Sequence, residues 1–177
     1  FRRVLFRSWI KRGGLLECSP RSYYANALQR LARTPDGIED KRAADDRFVI
    51  VLRRLREMGC LRKEDTQSQL LCWELCDKNR GYFPEKRFRF FVDWDPDVLT
   101  RADSMGSLPL HYSAHYSSLR GFQLVFEAGI LYFPNRRGIN FLFEIAEGWC
   151  TPFELACRTY GRDEVMKVIE RVLVDCS

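Results

Sequence analysis

DSMGSLPLHYSAHYSSLRGFQLVFEAG, residues Asp103–Gly129, is the stretch on which the reading of this chain turns. Asp103 and Gly106 bracket a short turn, and Pro109 stands where a first helical turn accepts a residue without an N–H. Leu110, Ser113 and Ala114 follow at helical spacing, with small residues on the face a neighbouring helix would approach. A second apolar stripe of Leu119, Phe122, Val125 and Phe126 ends at Glu127-Ala128-Gly129, where Gly129 is expected to take a left-handed helix cap. Two short helices opened by a turn cannot bury their apolar faces alone. They call for copies of themselves on either side.

A second copy opens at Thr151-Pro152-Phe153-Glu154-Leu155-Ala156-Cys157. With Leu108-Pro109-Leu110-His111 it resembles the Thr-Pro-Leu-His-x-Ala opening of an ankyrin repeat, Leu108 replacing Thr in the first and Glu154 replacing His in the second. The resemblance implies an all-α solenoid of stacked helix-turn-helix, ankyrin-like repeats. It implies that His111 hydrogen-bonds neighbouring turns. It also implies a protein-protein interaction scaffold whose partner, of unstated identity, meets the turn tips and the inner-helix faces of the concave side. Carried over position by position, those are Ser104, Met105 and Ser107 in the turn, Tyr112, His115 and Tyr116 on the first inner helix, and Leu155, Arg158 and Thr159 on the second. Tyr and Arg at such places suit interface anchors.

Upstream, the same period persists without the opening motif. Tyr24, Ala27, Leu28 and Leu31 predict a helix over Ser22–Arg33, followed by a turn at Thr34-Pro35-Asp36-Gly37. After a charged link over 36–46, Phe48, Val51, Leu52 and Leu55 form the stripe of a helix over Arg47–Met58, closed by Gly59. A polar link over Arg62–Ser68 leads to a helix carrying Leu70, Leu71, Trp73, Leu75 and Cys76. Another carries Phe88, Phe90, Phe91, Val92 and Trp94 and stops at Asp95-Pro96. The endings at 59, 95 and 129 lie 36 and 34 residues apart, against a repeat of about 33 in the family. The organisation expected is a partial upstream repeat or N-terminal segment over 1–21, degenerate repeats over 22–102, and two recognisable repeats over 103–177.

Between those two repeats Pro109 and Pro152 are 43 apart, so about ten residues are inserted within 130–150. The insert holds Leu131, Tyr132, Phe133, Ile139, Phe141, Leu142, Phe143 and Trp149, which is not the composition of a solvated linker. It is expected to fold on its own array as a long hairpin or an extra helical turn, with a partner-binding finger as the other reading. Arg136 and Arg137 at its tip join the candidate binding residues. The last pair spans Thr151–Tyr160 and Arg162–Val174, with one extra residue before Gly161 that predicts a looser turn.

The totals bound the function. The 177 residues are 46% hydrophobic and 30% charged, an ordinary globular composition. Seven cysteines, an odd number without a close framework, read as reduced core thiols of a cytoplasmic or nuclear protein. No window reaches the length of a membrane span, and FRRVLFRSWIKRGG lacks the apolar run of a secretory signal. The opening Phe1 suggests a piece of a longer chain. Phe1–Arg12 reads as the last helix of a truncated repeat or, alternatively, as a basic membrane-surface or targeting segment.

Residues 1–65 hold 16 Lys+Arg against 9 Asp+Glu (+7), whereas 66–177 hold 13 against 15 (−2). The alternative function is therefore nucleic-acid or acidic-surface binding through the basic N-terminal part. His111 and His115 share a helix face but have no third ligand, and Cys72 and Cys76 sit on an apolar helix, so no metal or cofactor is expected. The acidic run Asp93-Trp94-Asp95-Pro96-Asp97 lacks the alternation and closing Glu of a calcium loop. Neither a phosphate-binding loop nor a nucleophile elbow is present, and the chain is not expected to be an enzyme.

Overall fold

The computed structural model describes residues 26–32, 39–68, 71–76, 82–148 and 150–176, and among them every regular element is helical. Expectations for 1–21, the start and end of the Ser22–Arg33 helix, the turn at 34–37, Leu70, Cys18 and Trp149 lie outside the described residues.

α1 (Ala27–Ala32) opens on a reciprocal cap: Gln29 N–H donates to Asn26 Oδ1 at 2.8 Å, and Asn26 N–H to Gln29 Oε1 at 3.0 Å. α2 (Lys41–Glu57) begins well before Arg47, because Asp40 accepts from Ala43 N–H at 2.9 Å and turns the supposed link into helix. Its buried stripe is Ala44, Asp45, Val49, Leu52 and Leu55, while Val51 is exposed. The stripe thus keeps Leu52 and Leu55 of the expected one and takes Val49 in place of Val51, with Phe48 half-buried beside it. Gly59 ends the helix with φ of +67°, and Cys60 N–H reaches back to the Leu55 carbonyl at 2.9 Å. The polar link over 62–68 is also partly helical, as α3 (Lys63–Ser68), because Asp65 caps Arg62 N–H at 2.8 Å. α4 (Leu71–Cys76) and α5 (Glu85–Trp94) follow, and Asp95-Pro96 ends α5 and starts a 3-10 turn over Pro96–Leu99.

α6 (Pro109–Tyr116) carries Pro109 in its first turn, and α7 (Leu119–Tyr132) is capped by Ser118, whose Oγ accepts from Gly121 N–H at 3.1 Å. The helix passes straight through Gly129, so Gly129 is not a left-handed cap. It is small for another reason: a Cβ there would stand 3.1 Å from the Phe141 ring. The positive φ falls instead on Asn135, at +68°. The insert folds on its own array, as the extra helical turn and not as a hairpin. It adds Ile130–Tyr132 to α7, then forms α8 (Arg136–Asn140), which packs on α7 so closely that a Cβ at Gly138 would lie 2.5 Å from the Gly129 carbonyl oxygen. Phe133 and Phe141 meet edge to face at 5.5 Å, and Leu142 and Ala146 are buried.

α9 (Pro152–Tyr160) and α10 (Arg162–Asp175) complete the order. The extra residue before Gly161 lengthens α9 instead of loosening the turn, which is Gly161 alone at φ +88°.

The helices touch in two series. α1, α4, α6 and α9 meet in that order in one, and α2, α5, α7 and α10 in the other. Each member of the first also packs on its sequence partner in the second. Leu28, Leu71, Leu75, Ala114, Phe88, Phe91, Phe122 and Phe126 fill the space between the rows. The described cysteines are free, yet only Cys72 and Cys76 are buried; Cys60, Cys150 and Cys157 are half-buried and Cys176 is exposed. No described helix is long and apolar enough to cross a membrane.

Candidate functional site: the turn tips and the first row of helices

The turn over 103–107 is organised by one carboxylate. Asp103 Oδ1 accepts from Met105 N–H and Ser107 N–H, each at 2.8 Å, and Oδ2 accepts from the Tyr112 hydroxyl at 3.0 Å. Asp103 N–H returns a bond to the Ser107 carbonyl at 3.0 Å, and Gly106 supplies φ of +78°. The next turn docks directly on this one: Glu147 N–H donates to the Met105 carbonyl at 2.8 Å, and Gly106 lies against Ala146.

His111 completes the junction. Its Nδ1 accepts from Leu108 N–H at 3.0 Å, so Nε2 carries the proton and donates to the Glu144 carbonyl at 3.1 Å. The ring is fully buried, and burial lowers its pKa against the opposing pull of the Glu144 carbonyl and Asp103. Glu154 in α9 does the first half of the same work, its carboxylate accepting from Thr151 N–H at 3.1 Å. Glu154, at the place in α9 that His111 holds in α6, therefore keeps the cap, and among the described residues it bridges to no further turn.

Along the first row an aromatic strip crosses from α4 to α6. Trp73 stacks on Tyr112 at 5.6 Å and 7°, Tyr112 meets Tyr116 at 5.8 Å, and His115 meets Tyr116 edge-on at 4.4 Å. Tyr112, His115 and Tyr116 are half-buried, leaving edges open. Ser104, Met105, Arg158 and Thr159 are exposed, as expected of surface residues. Ser107 and Leu155 are not. Ser107 is fully buried under its own turn, and Leu155 packs into the core, so neither offers a side chain to a partner. Arg136 and Arg137 are exposed but stand on α8 beside the second row, Arg137 lying over the Phe133 ring at 4.8 Å, and do not join the first-row residues.

Trp73 and Asp103 are the contributors that position-by-position transfer passed over. Trp73 lies on α4, which no opening motif precedes. Asp103 was legible, since Asp three residues before Gly at a turn can bond its own backbone. Tyr160 is a third: its hydroxyl lies 2.9 and 2.8 Å from the Ser113 and Ser117 carbonyls, tying α9 to the end of α6. Among the described residues no cluster of His, Cys, Asp and Glu is arranged to hold a metal. Comparison with family models, with curated proteins and with solved structures found no match.

Proposed function

We propose that the chain is a solenoid of four ankyrin-like helix pairs and serves as a docking scaffold for a protein partner, without a reaction of its own. The observation that carries this reading is the junction at His111: one buried imidazole caps its own helix and hydrogen-bonds the following turn, while Glu147 and Met105 join the two turns through their backbones. Stacked turns of this kind need helices in parallel rows, which agrees with the two contact series. The docking surface is the first row and its turn tips: Ser104, Met105, Tyr112, His115 and Tyr116 with Trp73 behind them, continued by Arg158 and Thr159.

The test is affinity capture with wild type and two variants, Tyr116→Ala and Arg158→Ala. Capture of one set of proteins by wild type, lost from both variants while their melting temperatures hold, supports the scaffold reading. Unchanged capture by both variants removes this face from the function.

A further inference from the structure

The opposite row of helices carries a second surface. Between α2 and α5 lies a groove of about 690 Å³, lined by Asp46, Val49, Ile50, Arg53 and Arg56 from α2 and by Lys86, Arg89, Phe90 and Asp93 from α5. Val49 and Phe90 are buried and form its apolar floor, while Ile50 stays 64% exposed. The charges do not cancel. Lys86 is ion-paired with Asp46, Arg89 with Glu85 at 3.0 Å, and Asp93 accepts from the Tyr132 hydroxyl at 2.7 Å. Among the described residues Arg53 has no ion pair, and Arg56 is held over the rings of Phe90 and Trp94 at 5.0 and 5.5 Å rather than by an acid. Once internal pairs are formed, two exposed guanidinium groups remain beside an exposed apolar side chain. They are three residues apart on one helix, hence about 5–6 Å apart at Cβ.

We propose that this groove docks an acidic amphipathic helix of a partner protein, with one apolar residue against Ile50 and Phe90 and carboxylates on Arg53 and Arg56. Carboxylates suit a guanidinium already immobilised on aromatic rings, because the paired geometry needs no further ordering of that side chain. A nucleic-acid duplex is a poorer fit: the apolar floor and the exposed Ile50 give a phosphate track nothing to bind. This surface is independent of the first-row face, so the two stand or fall separately.

The probe is a fluorescein-labelled helical peptide of about 18 residues, roughly five turns, built from Glu, Ala and Leu with Leu at i, i+4 spacing. Anisotropy titration of the whole chain should give saturable binding that weakens as salt rises. The same peptide with Lys for Glu should not bind, and polyglutamate of equal charge should bind at least about tenfold more weakly for want of the apolar contact. Arg53→Glu and Ile50→Asp should each lower affinity about tenfold or more, and Tyr116→Ala should leave it unchanged. Arg53→Gln, which keeps the side chain's bulk, guards against a folding artefact and should show an intermediate loss at an unchanged melting temperature. Any of four results would overturn the proposal: no saturable binding, equal binding of the Lys peptide, indifference to Arg53→Glu, or tighter binding of a DNA duplex. Concentration-dependent dimerisation abolished by Arg53→Glu, read by sedimentation, would assign the groove to a second copy and also overturn it.

Discussion

His111 shows how much a single side chain can decide. Because its folded pKa lies below the ordinary value of about 6.5, the unfolded chain takes up a proton at that site on acidification before the folded chain does. Stability from this group is therefore full above about pH 6.5 and is lost as pH falls from there through the depressed folded value. Urea midpoints measured from pH 7.5 down to 5 should decline in wild type. In His111→Asn, which does not titrate, the decline should be smaller. A variant slope equal to that of wild type would deny His111 this role. Two glycines give a second comparison at this scale. Gly138→Ala drives a Cβ into two backbone carbonyls, Gly129 at 2.5 Å and Phe133 at 2.8 Å, which cannot yield as a side chain can. It should cost about 1–3 kcal/mol by overpacking. Gly59→Ala meets open space and suffers only the left-handed backbone, at about 1 kcal/mol. Thermal melts of both variants check the order; a silent Gly138→Ala would mean that α8 shifts freely against α7.

The helices differ in how plainly the sequence announced them. Pro109 and Pro152 mark the starts of α6 and α9 because a residue with fixed φ and no N–H has few other places to stand. The start of α2 was hidden, since Asp40 reads as part of a charged link until its carboxylate is seen on Ala43 N–H. Gly129 misled for a related reason: a glycine ending an apolar stripe looks like a cap, and only the return of Gly138 and Phe141 explains its size. Of the candidate surface, the exposure of Arg158 and the half-open edge of Tyr116 were legible from helical register, but burial of Ser107 and Leu155 depends on how turns and rows close over them. Least legible was the joint between α1, α2 and α5. Arg87, fully buried, donates through Nε to Asp45 at 2.6 Å and through Nη1 to the Ala32 carbonyl at 2.8 Å, with Phe48 beneath its guanidinium. No periodicity foretells an arginine inside. The same site reaches Tyr82, whose pKa burial and the Asp45 charge push up to about 12. Arg87→Met should leave the buried Asp45 carboxylate without its counter-charge, held by backbone N–H groups, and cost about 3–5 kcal/mol. Adding Asp45→Ala to that variant should recover part of the loss, and a double-mutant cycle by urea unfolding measures the coupling. Additive losses would mean the pair is not a unit.

At the scale of the whole molecule the contact order matters more than any one bond. Each helix pair meets the next one along the rows, and in the solenoid proposed above stability is passed between such neighbours. Damage should therefore spread by adjacency. Phe122 sits fully buried in α7, with Phe126 stacked along the helix and Tyr160 of α9 against it at 6.3 Å. Phe122→Ala should cost about 3–5 kcal/mol and loosen pairs on both sides, because its cavity opens between two neighbours. Val172, buried in α10 at the far end of the described rows, has a pair on one side among the described residues. Val172→Ala removes about two methyl equivalents at roughly 0.8 kcal/mol each, and its effect should fade within one pair. Native-state hydrogen exchange separates the cases. With Phe122→Ala, amides of α4–α5 and α9–α10 should both lose protection. With Val172→Ala, α9–α10 should exchange faster while α2 and α5 keep wild-type rates. A uniform drop across every helix after Val172→Ala would show that the rows open only as one cooperative block, and the adjacency argument would fail.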